Sequence, residues 1–208
     1  VKIFCSALIL IFSSFVAGAA SVVAQDEAGA SQSVNSATVA RKLSSVNAVE
    51  RREAAEELAR LAAVEHRRLV EGYRVQERDA RVRLALDWAL YRMGKNESLF
   101  QLVRALGSKK QAEQSVGYLK QLESPEPLYI FLNHVNGNTQ IRLLEVLAAT
   151  GNEGTLERIK PFTESLDPGI ADAAKFAERE INLRLQETTA PEPKRQRKVG
   201  SNENEPPL

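Results

Sequence analysis

The sequence predicts an all-α fold, a short right-handed α-solenoid of about four to five antiparallel helix pairs. Three observations carry this prediction. A four-position apolar signature recurs every 29 or 30 residues, a second apolar stripe lies between its copies, and glycine and proline fall at the junctions. Counted from Val82, the signature occupies offsets 0, 3, 6 and 7: Val82, Ala85, Trp88 and Ala89. Later copies are Ala112, Ser115, Tyr118, Leu119, then Ile141, Leu144, Leu147, Ala148, then Ile170, Ala173, Phe176, Ala177. A weaker copy precedes them at Ala55, Leu58 and Ala59, with Arg52 at offset 0. Offsets 0, 3 and 7 share one face of a helix with about 3.6 residues per turn, and offset 6 lies beside them. Such a helix buries its face only against a paired helix and stacked neighbours.

Four segments follow in order. In residues 1–24, Lys2 precedes an uncharged, mostly apolar run that ends in Val22, Val23 and Ala24. Small residues at the end of that run are what signal peptidase needs, so a signal peptide and a secreted or periplasmic protein are expected. Ala17, Gly18 and Ala19 form a second candidate cleavage site, and a retained membrane anchor is the competing reading. Cys5, the only cysteine, stands at the start of the run and not after it, so a lipid anchor, a disulfide and a thiolate site are all excluded from the cleaved chain. Residues 25–45 read as a flexible Ser/Ala-rich spacer that turns helical near Ala37 to Leu43. Residues 46–186 carry the repeats. Residues 187–208, rich in proline and charge, read as a disordered tail whose basic patch is Lys194, Arg195, Arg197 and Lys198.

Within the repeat region, Asn47 and Glu50 have capping-box spacing ahead of a helix to Leu61. Leu99, Leu102, Val103 and Leu106 form the outer-helix stripe, repeated at Leu128, Phe131, Leu132 and Val135 and begun again at Leu156 and Ile159. Leu69, Val70 and Tyr73 are an earlier partial copy. Gly94, Gly107, Gly137 and Gly151 fall where helices should end with positive φ. Pro125, Pro127 and Pro168 suit helix starts, and Pro161 should kink or split the last outer helix. Asp79, Asn138 and Asp167 are predicted N-caps, with Ser108 taking that role in place of Lys109. Arg83, Glu113 and Arg142 occupy offset 1, each four residues after Asp79, Lys109 and Asn138. Two readings stay open for them: local i, i+4 pairs, or a ladder between adjacent repeats.

The stretch from Ala80 to Leu106 resembles a HEAT-like repeat of the short type named after phycobilin lyases. The matching residues are Val82-Arg83, Ala85, Ala89-Leu90, Gly94 and Leu99-Leu102. Gln140 to Leu166 is similar through Ile141-Arg142, Leu144, Ala148 and Gly151, whereas residues 109–135 replace Val-Arg with Ala112-Glu113 and have no glycine after Leu122. The resemblance implies stacked helix pairs, and a scaffold or binding platform more often than a chromophore lyase.

Chemistry is harder to find. The 28 basic residues nearly balance 27 acidic ones, and Lys2 supplies the excess, so no broad grip on nucleic acid or anionic lipid is expected. His66 and His134 are the only histidines and fall in different repeats, and no metalloprotease, nucleophile-elbow, phosphate-loop or dinucleotide motif occurs. No catalytic residue, metal site or cofactor is expected. The arginines Arg67, Arg68, Arg74, Arg78, Arg81 and Arg83 are interleaved with Glu65, Glu71, Glu77 and Asp79 and are expected to be neutralised within the run. Arg51, Arg52 and Arg60 should do the same for Glu53, Glu56 and Glu57. Trp88 shares its offset with other large residues and is expected in the core.

The expected function is a non-catalytic, extracytoplasmic protein-interaction scaffold whose partner, a protein of unknown identity, binds the exposed ridge of the inner helices. Its candidate residues are Arg83, Asp87, Tyr91, Gln121 and Arg142. A chromophore-lyase-like enzyme that binds a small molecule and a membrane-tethered structural protein are the alternatives.

Overall fold

Polar caps and buried alanines set the first helices. The structure is a computed structural model describing residues 35–189, all in helices or the turns between them. The expected signal peptide and the basic patch Lys194–Lys198 lie outside the described residues. The chain divides into two compact units, Val1–Asn96 and Glu97–Leu208.

In the first unit, α1 (35–41) runs into a 3-10 turn at Lys42–Ser44, overlapping the stretch from Ala37 to Leu43 expected to turn helical. Asn47 caps α2 (Ala48–Arg60) by accepting from the Val49 N–H at 2.9 Å. Glu50 does not complete a capping box; its carboxylate takes the Ser45 hydroxyl at 2.6 Å instead. A second 3-10 turn, Val64–His66, leads into α3 (Arg67–Gln76), and α4 (Ala80–Arg92) follows. Asp79 caps α4 as predicted, accepting from Arg81 and Val82. α2 and α4 lie against each other, and α3 packs on α4. Ala55, Leu58 and Ala59 of α2 are fully buried, as are Ala85 and Ala89 of α4, so small residues let the two backbones approach.

Both of these helices end in the same left-handed turn. Gly94 has φ +88°, its N–H reaches the Tyr91 carbonyl, and the Lys95 N–H reaches that of Leu90. Ala62 stands at the matching place after α2 with φ +47°, and Ala62 and Ala63 bond back to Ala59 and Leu58. These are Schellman ends, one built with the residue that favours positive φ and one without it.

The second unit contains α5 (Ser98–Ala105), α6 (Ala112–Leu119), α7 (Glu126–Tyr129), α8 (Gly137–Thr150), α9 (Glu153–Ile159) and α10 (Pro168–Thr189). α8 and α10 form its main packing pair, α9 and the 3-10 turn Lys160–Glu164 lie on α10, and α5 meets α6 and α8. Leu143, Leu144 and Leu147 of α8 are completely buried. Asp167 caps α10 through Gly169 and Ile170. Pro161 acts as expected: α9 stops at Ile159 and the chain tightens to 3-10 geometry. No helix among the described residues is long and apolar enough to cross a membrane.

Several expectations are corrected. The outer helix foreseen over Leu128 to Val135 shrinks to α7, although Leu128, Phe131 and Leu132 remain buried. Asn138 lies inside α8 and caps nothing, because Asn136 is the N-cap residue. Gly137, at φ +55°, opens that helix instead of ending the one before. Gly151 does end α8, but at φ −64°. Its lack of a side chain serves close packing, since a Cβ there would lie 2.7 Å from Ile181 Cδ1. Phe176, foreseen in the core, is 42% exposed.

Candidate functional site

Helical spacing places residues at an angle; neighbouring helices decide which of those angles meet solvent. In the first unit, Arg83 is exposed and forms no hydrogen bond or ion pair among the described residues. Tyr91 is half-buried and stacks on Trp88, with ring centroids 5.9 Å apart and planes 19° from parallel. Trp88 is 3% exposed, a core residue as expected, and the Arg92 guanidinium lies 5.7 Å from its ring centroid. Of this aromatic pair, Tyr91 is the member partly exposed at the C-terminal turn of α4.

Asp87 does not belong to an exposed ridge. It is 5% exposed, because α3 packs over that angle of α4 and Arg74 reaches in to hold it. Arg74 Nε donates to Asp87 Oδ1 at 2.8 Å and Nη2 to Oδ2 at 3.2 Å. Burial pushes the Asp87 carboxyl above its ordinary value, more strongly than Arg74, Arg83 and Lys95 pull it down.

The neighbouring charges were expected to cancel within their own segment. They reach between elements instead. Arg51 of α2 grips Glu77 through Nε at 2.7 Å and Nη2 at 3.0 Å, while its Nη1 holds the Ser45 and Val46 carbonyls. Glu71 pairs with Lys95 at 2.7 Å. The hydrogen bond from Arg51 holds the Glu77 carboxyl below the ordinary carboxylate value, and Lys95 does the same for Glu71. Arg52–Glu56 and Arg60–Glu57 do pair locally along α2, as expected.

In the second unit, Gln121 is exposed, and its amide donates to the Gly117 carbonyl at 2.9 Å. Arg142 is half-buried and its Nη1 meets Glu113 Oε1 at 3.1 Å. Glu113 and Arg142 both stand at offset 1, so this pair joins equivalent positions 29 residues apart in sequence. Glu113 is 91% exposed, which limits the pair to about 0–1 kcal/mol.

Two hollows on the first unit are lined by described residues. One, of about 380 Å³, is lined by Leu43, Tyr73, Gln76, Arg78 and the Arg51–Glu77 pair, whose hydrogen-bonding groups are already occupied by protein. The other, of about 480 Å³, has Val39 and Ala54 beside Glu50, Glu53, Glu57 and Lys42. His66 meets Ser36 at 3.2 Å, and His134 is an exposed residue of the second unit. No group of three or more His, Cys, Asp or Glu among the described residues is placed to hold a metal ion.

Sequence reasoning missed the polar residues that organise the second unit. Asn152 and Thr155 form a reciprocal capping box at α9, and Tyr129 joins it through Thr155 Oγ1 at 2.7 Å. Asn152 followed three residues later by a hydroxyl was the available signal. No protein-family model matches the chain, and no curated protein matches it.

Proposed function

We propose that this chain is a non-catalytic, extracytoplasmic protein-interaction scaffold, a short HEAT-like solenoid that holds a protein partner on its inner helices. The observation that carries the reading is the Glu113–Arg142 rung. It joins equivalent positions of successive signature copies, 29 residues apart, as stacked repeats would. Side-by-side packing of α2 with α4, and of α8 with α10, supports it, because each pair carries consecutive copies of one signature. Arg83 and Tyr91 on the first unit, and Gln121 and Arg142 on the second, are the partner-binding residues in this proposal. Aromatic and guanidinium groups make good anchors because they bring large contact area or several donors on a well-ordered base. Export rests on the apolar run that ends at Ala24.

Crosslinking in the native envelope, followed by mass spectrometry, identifies the partner. Tyr91→Ala with Arg142→Ala should then abolish its capture while circular dichroism is unchanged, and Arg104→Ala with Glu157→Ala should leave capture intact. The opposite pattern moves the site to the outer helices. N-terminal sequencing of the exported protein should begin near Gln25; a chain that retains the apolar run before Ala24 supports the tethered alternative instead.

A further inference from the structure

α3 is the least anchored helix of the first unit. Val70 is its only buried residue; Tyr73 is half-buried, while Leu69 is 44% exposed and Val75 83%, so only a narrow apolar stripe holds it to α4. No side chain caps its N-terminus. Gly72 sits mid-helix with open space where a Cβ would project, so the helix carries glycine's propensity penalty without a packing reason.

Charge holds it instead. Glu71 takes Lys95 Nζ at 2.7 Å, Arg74 grips Asp87 with two hydrogen bonds, and Glu77, just past the helix, takes two from Arg51. On the approach to α3, Ser36 of α1 meets Glu65 at 2.7 Å and His66 at 3.2 Å. A helix with few buried apolar contacts and several ionic ones belongs to the low-stability end of local opening.

We propose that α3 is a charge-latched strap, which opens from α4 as a local unit ahead of the rest of the first unit and opens more often as salt rises. Opening uncovers the side of α4 turned toward Arg74. By helical spacing that side carries Leu84, Leu90 and Tyr91 around Asp87. The inference stands whether or not a partner binds the ridge; where one does, opening enlarges the surface beside Tyr91.

Salt, not mild acid, is the control variable, and it acts mainly through the half-exposed Glu71–Lys95 latch, because Arg51–Glu77 and Arg74–Asp87 are more buried and less screened. Glu71, facing Lys95 with Arg67 and Arg68 nearby, and Glu77, facing Arg51, are both held below the ordinary carboxylate value. Their latches fail only when pH falls through those depressed values. Asp87 faces Arg74 from α3, Arg83 on its own helix and Lys95 from the following turn, yet burial lifts it. Its protonation therefore favours the closed form and opposes acid opening.

Amide hydrogen exchange on the full chain at neutral pH tests this. Raising sodium chloride from about 20 mM to about 500 mM should cut the protection of α3 amides several-fold and leave those of α4 unchanged. Lys95→Glu should lower α3 protection about fivefold at low salt, and Lys95→Arg, which keeps the charge, should preserve it. Glu71 and Lys95 are both partly exposed, so neither change empties the core. Loss of protection in α3 and α4 together would overturn the proposal, as would indifference of α3 to both salt and Lys95→Glu. An equal loss in Lys95→Arg would overturn it too.

Discussion

The two units solve the same problem, joining short amphipathic helices, with different polar chemistry. In the first, acids and bases from different elements clasp one another: Arg51 with Glu77, Arg74 with Asp87, Lys95 with Glu71. In the second, apart from the exposed Glu113–Arg142 pair, side chains reach the backbone. Ser115 donates to the Leu102 carbonyl, Gln140 to that of Leu132, and Arg184 to those of Ala148, Ala149 and Gly151. A carbonyl neither titrates nor loses its dipole in acid, whereas a carboxylate clasp ends when it is protonated. The first unit should therefore respond to salt and, once pH falls below the depressed values of Glu71 and Glu77, to acid, whereas the second should respond mainly to heat and denaturant.

The largest expected effect tests whether the first unit also depends on its core. Trp88→Ala should cost about 3–5 kcal/mol, the usual result of emptying a buried aromatic site. Thermal unfolding checks it, and an unchanged midpoint would mean that the clasps alone hold α4 in place.

Next comes Arg74→Ala, which leaves a buried carboxylate without its hydrogen-bonded cation. The expected loss is about 2–3 kcal/mol at neutral pH, reduced from the fully buried case because Arg74 is partly exposed. The pH dependence has a definite sign. The Asp87 carboxyl is raised in the fold, so its favourable contribution is complete below its unfolded value and is lost as pH rises through the folded one. Without Arg74 it is raised further. The penalty should be largest near neutrality and shrink in urea titrations run at about pH 4.5, near the ordinary carboxylate range. A penalty that is the same at both pH values would show that Arg74 acts through packing of its stem.

Arg184→Met is the matching test in the second unit. It removes three hydrogen bonds at the C-terminus of α8, at 2.6, 2.9 and 2.7 Å, and one positive charge at the negative end of that helix. About 1–2 kcal/mol should be lost, equally at both pH values, since guanidinium stays protonated and carbonyls do not titrate. A strongly pH-dependent loss would break the contrast between the units.

How much of this could be read in advance follows from what periodicity encodes. The spacing of Val82, Ala85, Trp88 and Ala89 fixes a buried face, and each is buried. Asp79 and Asp167 were legible as caps because capping is settled within a few residues. The clasps were not. Arg74 finds Asp87 across 13 residues and Arg51 finds Glu77 across 26, choices made by helix packing and not by local spacing. Asp87 looked like a ridge residue because a helical wheel gives its angle but not the neighbour that covers it. Phe176 failed in the opposite sense: it belongs to the last copy of the signature, and no further copy follows among the described residues to cover it.

The smallest effects concern how the long helices end, where the units differ again. α8 has its last carbonyls held by Arg184, whereas α2 and α4 end by turning the chain through positive φ. Ala62 and Gly94 occupy equivalent positions in those turns, so exchanging their residue types should give opposite signs. Ala62→Gly relieves a left-handed alanine, a gain of about 1 kcal/mol, partly offset by the greater freedom of glycine in the unfolded chain. A net stabilisation of a few tenths to about 1 kcal/mol is expected. Gly94→Ala imposes the same strain and should lose about 1 kcal/mol, although nothing lies within 4 Å of the added Cβ. Because the space is open, packing cannot account for a loss there. Urea unfolding of both variants settles the matter, and two changes of the same sign would mean that backbone conformation is not what distinguishes the two ends.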